Sequence, residues 1–176
     1  MPTYQRETRV RAPLDDVVAF HARIEGLEAV TPAWLNLRVE AVRGPAGEAD
    51  PETLEVGAEV RLSLRPFGVG PRQRWVSRIT RREEGDGSAV LEDAMVDGPF
   101  PTWRHSHQFY AVSTDETVVR DRVEYELPVV GGSLGPLGWL GFEPMFRERH
   151  RRTRRILEGD ERDAAGGSRA DYQRSE

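Results

Sequence analysis

Apolar and polar residues exchange places along this chain with two different periods, and the switches between them set out its elements. Thr3 to Arg11 alternates one for one: Tyr4, Arg6, Thr8 and Val10 fall on one side, Gln5, Glu7, Arg9 and Arg11 on the other. That predicts a strand, which Pro13 stops. From Leu14 the period lengthens to that of a helix running to about Arg23, with Asp15 and Asp16 in the first turn, where the helix dipole favours acids. Gly26 is expected to end it, and LEAVTPAW to form a second short helix finishing at Pro32. Alternation then returns in Leu35 to Arg43, Glu59 to Pro66, Arg72 to Arg82 and Ala89 to Val96. Between the first two of these, Gly44 to Glu55 is rich in Gly, Pro and acids and is expected to be a flexible surface loop. After a glycine-rich apolar passage, VVGGSLGPLGWLG, helical spacing resumes from Phe142 to Glu158, with Phe142, Met145, Phe146, Arg149, Thr153, Ile156 and Leu157 in one stripe.

The stretch from Pro99 to Pro128 stands apart. It predicts two long strands joined by a tight turn at Ser113 to Glu116. One face of the first strand carries Trp103, His105, His107 and Phe109; one face of the second carries Val119, Asp121, Val123, Tyr125 and Leu127. The opposite face of the second strand, Arg120, Arg122, Glu124 and Glu126, is a solvated one. An inward face that packed only against other side chains would read Val, Ile and Leu. Aromatic rings interleaved with imidazoles, a carboxylate and a phenol suit a partly wet pocket, in which rings give contact area and polar groups fix orientation.

Composition narrows the classes. The 176 residues suit one domain of ordinary size, and 38% hydrophobic with 31% charged residues is a globular balance. There is no cysteine, which excludes disulfides and thiolate chemistry, and no apolar run long enough to span a bilayer. The N-terminus, MPTYQRETRV, lacks the apolar core of a signal peptide, so cytoplasmic residence is expected. Every basic residue is arginine, yet the net charge is −5, which argues against nucleic acid as a partner. The run RERHRRTRR (147–155) reads as a solvated helix face whose arginines pair with Glu143, Glu148 and Glu158.

A strand, two short helices, about six antiparallel strands and one long terminal helix is the element order of the helix-grip fold. With GPFPTWRHSHQF, TVVRDRVEYELP and GGSLGPLG in that order, the chain resembles the START-like (SRPBCC) superfamily of polyketide cyclases and dehydrases, lipid-transfer domains and plant pollen-allergen proteins. It looks most like a prokaryotic ligand-binding branch, and the resemblance covers Thr3 to Leu157. It implies an α+β helix-grip domain over residues 1–158: a curved six- to seven-stranded antiparallel sheet around the long C-terminal helix, with a cavity between them. Residues 159–176 are expected to be a disordered tail. The superfamily's W-x-H-x-H-x-F pattern falls on Trp103, His105, His107 and Phe109, and its D-x-V-x-Y pattern on Asp121, Val123 and Tyr125. The sequence departs from the pattern at Glu143-Pro144, which interrupts the apolar stripe.

The first functional expectation is therefore the binding of a small hydrophobic or amphipathic ligand, lipid-like or polyketide-like. Trp103, His105, His107, Asp121 and Tyr125 would form the polar side of the pocket; Trp75, Met95, Phe109, Phe142 and Phe146 would form the apolar side. The alternative is a cyclase or dehydratase in which His107 and Asp121 transfer protons and Tyr125 donates to an oxyanion. With a three-residue hairpin loop, Phe109 would pair near Asp121 and His107 near Val123, leaving Asp121 diagonal to His107. No metal or cofactor is expected, because His21 and His150 sit on helices at no recognisable ligand spacing from His105 and His107. A homodimer is possible, although the charged first strand argues against uncontrolled edge pairing.

Overall fold

The computed structural model describes residues 1–127 and 138–170, with side chains over 1–127 and 141–159. Seven strands form one antiparallel sheet: β1 (Thr3–Val10), β2 (Arg38–Arg43), β3 (Glu59–Leu64), β4 (Gln73–Gly85), β5 (Ser88–Asp97), β6 (Thr102–Ser113) and β7 (Glu116–Glu126). Their spatial order is β1-β7-β6-β5-β4-β3-β2, so each strand from β2 to β6 pairs with its successor and β1 closes the far edge against β7. Two short helices, α1 (Leu14–His21) and α2 (Ile24–Val30), follow β1, and the long α3 (Gly138–Ala170) ends the described chain and packs against β1 and α2.

The sheet is curved, and its inner face is buried in two apolar clusters. One gathers Val10, Val17, Val18, Leu62, Ile79, Leu91, Phe109 and Val119; the other gathers Tyr4, Val123, Tyr125, Phe142 and Phe146. Helix α3 buries Phe142, Phe146, His150 and Thr153, successive positions on one face at three- and four-residue spacing.

Several expectations shift. The helix break falls at Ala22-Arg23, and Gly26 lies inside α2 rather than ending α1. It is glycine for closeness, since a Cβ there would collide with the Phe20 carbonyl oxygen. The strand expected from Leu35 starts at Arg38, because Ala33–Leu35 forms a 3-10 turn that Asn36 ends in the left-handed region at φ 48°. The loop 44–55 is anchored at its end: Leu54 is buried, and its N–H donates to the Ala22 carbonyl at 2.8 Å. Helix α3 is longer than the stripe predicts and continues through residues 159–170, where no periodicity signals it. Most of the glycine-rich passage lies outside the described residues, as do residues 171–176.

The central hairpin also differs. Ser113 pairs with Glu116, leaving a two-residue turn at Thr114 and Asp115. By itself such a turn would set odd-numbered residues of β6 against even-numbered residues of β7, joining an inner face to an outer one. A bulge between Ala111 and Ser113 takes up Val112 and restores the parity. His107 therefore stands directly across from Asp121 and His105 across from Val123, two residues from the expected register.

Candidate functional site

Between the two apolar clusters the inner face carries a polar layer centred on Asp121, which is 2% exposed. Alternate residues on a strand project in parallel, so β6 delivers His105 and His107 side by side, their ring centroids 4.1 Å apart, to the carboxylate that β7 holds opposite. His105 Nε2 donates to Asp121 Oδ1 at 2.9 Å. From α3, His150 Nε2 donates to Oδ2 at 2.5 Å. His107 Nδ1 lies 2.6 Å from Oδ1, but its in-plane direction misses the oxygen and the nitrogen makes no hydrogen bond.

Other groups surround this core. Asp93 on β5 stands across from His105, its Oδ1 3.6 Å from His105 Nδ1, and accepts a hydrogen bond from Ser77 Oγ at 2.5 Å. His21, at the end of α1, donates from Nδ1 to the Val17 carbonyl and sets its ring 5.5 Å from His107 and 5.1 Å from Phe109. Arg149 reaches over the Phe146 ring and feels the charges of Asp121 and Asp93.

Burial and charge fix the protonation states. Burial alone would raise the Asp121 carboxyl, but the nearness of His107 and the hydrogen bonds from His105 and His150 outweigh it and hold the group well below the usual carboxylate range. Burial, with the neighbouring His105, lowers His107, which therefore stays neutral. Burial, with His107 beside it, lowers His21 to about 3. The layer is an ionised carboxylate ringed by imidazoles.

The expected pocket residues divide among these regions. Tyr125 packs on Phe142 with centroids 4.8 Å apart, Trp103 on Phe142 at 5.4 Å, and Phe146 on His105 at 5.3 Å. Phe109 belongs to the other apolar cluster, on the His21 side. Trp75 and Met95 come together at Gly98, Trp75 opposite Leu62 and Met95 opposite Ser77, away from the Tyr125 cluster. Tyr125 lies four residues along β7 from Asp121, about 13 Å at strand rise, in the apolar cluster with Phe142 and Phe146. Glu143 clamps α3 to the sheet edge, accepting from the Tyr4 hydroxyl at 2.8 Å, from Arg6 at 2.5 Å and from Arg147 at 3.0 Å.

His150, His21, Arg149, Asp93 and Ser77 were not anticipated as site residues. His150 had a signal, since it stands four residues beyond Phe146 on the buried face of α3. For His21 and Asp93 only the packing of α1 and the β5–β6 register reveal the part they take.

A curved antiparallel sheet gripping a terminal helix, with a buried polar layer on its concave side, places the protein in the helix-grip class. The profile of one family, described as "Polyketide cyclase / dehydrase and lipid transport", matches residues 10–154, and the chain belongs to that family. No curated protein sequence matches the chain. Solved structures share the fold. TTHA0849 from Thermus thermophilus is 20% identical over 90% of this chain and 95% of its own, with a TM-score of 0.56. A START superfamily protein from Mycobacterium smegmatis is 15% identical over 89% and 99%, TM-score 0.57. Norcoclaurine synthase from Thalictrum flavum, solved with dopamine and hydroxybenzaldehyde, is 14% identical over 89% and 86%, TM-score 0.59. No helix among the described residues is long and apolar enough to cross a membrane.

Proposed function

We propose that the protein binds a small amphipathic ligand whose apolar body, acyl or aromatic, lies among the rings of the concave face and whose acidic oxygen meets the polar layer. The observation that carries this reading is Arg149. Three arginines near it on α3 are paired, Arg147 with Glu143 and both Arg151 and Arg152 with Glu148. The Arg149 guanidinium, partly buried beside His21 and His107, has no hydrogen bond or ion pair to any described residue. A cation withdrawn from water favours an anion that completes its hydrogen bonds, and a carboxylate or acidic phenol matches its fork.

The test uses the full-length protein. Native mass spectrometry and solvent extraction identify any co-purified molecule, and tryptophan fluorescence follows titrations with oleate, oleyl alcohol and emodin. Oleate and emodin are expected to bind more tightly than oleyl alcohol by about tenfold or more, the worth of a hydrogen bond to a charged group. Arg149→Gln is expected to abolish that preference. Equal binding of oleate and oleyl alcohol, or no binding of any probe, would overturn the reading.

A second reading, a cyclase or dehydratase, is favoured by the buried Asp121–His107 pair, since a carboxylate beside a neutral imidazole is a general-base arrangement. The two readings part on His107→Ala: it changes affinity in a carrier and abolishes turnover in an enzyme.

A further inference from the structure

Two ring nitrogens on β6 and a carboxylate on β7 converge on one point. His105 Nε2 and His107 Nδ1 approach the same oxygen, Asp121 Oδ1, at 2.9 and 2.6 Å. The candidate donor atoms of the three side chains all lie within 4.8 Å of one another, and each residue is more than nine-tenths buried. Hydrogen bonding does not account for this convergence. A single oxygen can accept two N–H groups, but His107 Nδ1 is enclosed and unaligned, and a buried polar atom left without a partner costs about 1–3 kcal/mol. A ring nitrogen 2.6 Å from the carboxylate oxygen that makes no aligned hydrogen bond to it suits a shared cation.

The surrounding groups are those that support coordinated metals. His150 Nε2 donates to the distal oxygen Oδ2 and fixes the carboxylate. Asp93 stands 3.6 Å from the far nitrogen of His105 and is itself held by Ser77. Metal-bound imidazoles are commonly oriented by a carboxylate on the opposite ring nitrogen. Two carboxylates, Asp121 and Asp93, stand close by against one guanidinium, Arg149.

We propose that His105 Nε2, its proton shifted to Nδ1 on the Asp93 side, His107 Nδ1 and the Asp121 carboxylate bind a divalent late first-row transition-metal ion of the zinc type, with a fourth position open to water or to an oxygen of a bound molecule. Ligand atoms about 2.0–2.2 Å from a tetrahedral ion stand about 3.3–3.6 Å apart, so the 2.9 and 2.6 Å approaches open by roughly 0.4–1 Å when the ion enters. Two imidazoles and one carboxylate select such an ion over magnesium and calcium, which favour oxygen-rich shells. This inference is independent of the carrier reading, because an ion can occupy the three side chains whatever lies on the concave face.

The experiment takes full-length protein stripped with a chelator and titrates it with zinc chloride by calorimetry and with cobalt(II) chloride by visible absorption. Uptake of one equivalent, with the visible bands of four- or five-coordinate cobalt, is expected; magnesium and calcium at the same concentration should not compete. His107→Ala, which leaves the His105 and His150 bonds to Asp121 in place, is expected to weaken binding by about a hundredfold or more. To keep the test open if that variant fails to fold, a second measurement uses the unaltered chain. Long-range proton–nitrogen correlation of the imidazoles should show zinc moving His105 Nε2 and His107 Nδ1 and leaving His21 in place. Failure to take up one equivalent would overturn the proposal, as would a folded His107→Ala that binds equally well or ring nitrogens of His105 and His107 that zinc does not move.

Discussion

Acidification should weaken this fold well above the carboxylate range, and His21 allows the size of the effect to be worked out. Its Nδ1–H is bonded to the Val17 carbonyl at 2.8 Å and its ring is set among Phe20, Phe109 and His107. Burial is the main reason its pKa falls to about 3 in the folded protein, from the ordinary imidazole value of 6.5 that describes the unfolded chain. Between those two values the unfolded state binds a proton that the folded state refuses. The stabilisation is therefore complete above about pH 6.5 and is lost as pH falls toward the folded value. At 1.36 kcal/mol per pH unit, the interval from about 6.5 to about 5.0 removes about 2 kcal/mol. His107 is lowered too and adds to the loss. Asp121, also lowered, withdraws its contribution only below about pH 4, so pH 5 isolates the imidazoles. The assay is urea unfolding at about pH 7.5 and about pH 5.0 for the parent and for His21→Asn, whose amide can donate to Val17 and does not titrate. The variant starts lower at both pH values through lost ring packing, but the parent is expected to lose about 2 kcal/mol more over the interval. Equal pH slopes for the two proteins would refute the reasoning.

Three other perturbations probe the frame around the site. Gly26→Ala drives a methyl group into the Phe20 carbonyl, and thermal unfolding should show a loss of about 2 kcal/mol or more. Phe146→Ala empties a position that is 1% exposed and packed on Tyr4 and His105, and should cost about 3–5 kcal/mol in urea unfolding. Deleting Val112 removes the bulge and sets inner-face against outer-face residues; circular dichroism and hydrogen exchange should show β6–β7 pairing lost or the whole chain unfolded.

Much of the fold was legible because its signals are local and repeat. Alternation in Thr3 to Arg11, Arg72 to Arg82 and the long hairpin marked strands close to their actual limits, and the stripe from Phe142 marked the buried face of α3. The inward-facing set Trp103, His105, His107 and Phe109 follows from parity alone. Parity does not say which residue of the partner strand stands opposite, because one bulged residue at Val112 changes the register without changing the pattern. Asp121 thus moved from a diagonal neighbour of His107 to its direct partner. The polar layer was harder to read. His150 and His21 look ordinary on their own helices, and only the way α3 crosses the sheet brings His150 to that carboxylate, and the way α1 meets Phe109 brings His21 beside His107. The Glu143-Pro144 interruption of the stripe proved to be a tie, with Glu143 holding Tyr4 and Arg6 of β1.

The pairing of β1 with β7 also bears on how the chain can be made. Thr8 meets Val119 and Tyr4 meets Val123, contacts more than a hundred residues apart in sequence. During synthesis the first strand must wait, its backbone groups unpaired, until the seventh has left the ribosome. The hairpins from β2 to β7 can assemble in sequence by short connections meanwhile. Fold completion then depends on a late, long-range docking event that also brings α3 against β1, and such closures are slow for entropic reasons. Gln5, Glu7 and Arg9 on the outward side of β1 would keep that waiting edge soluble.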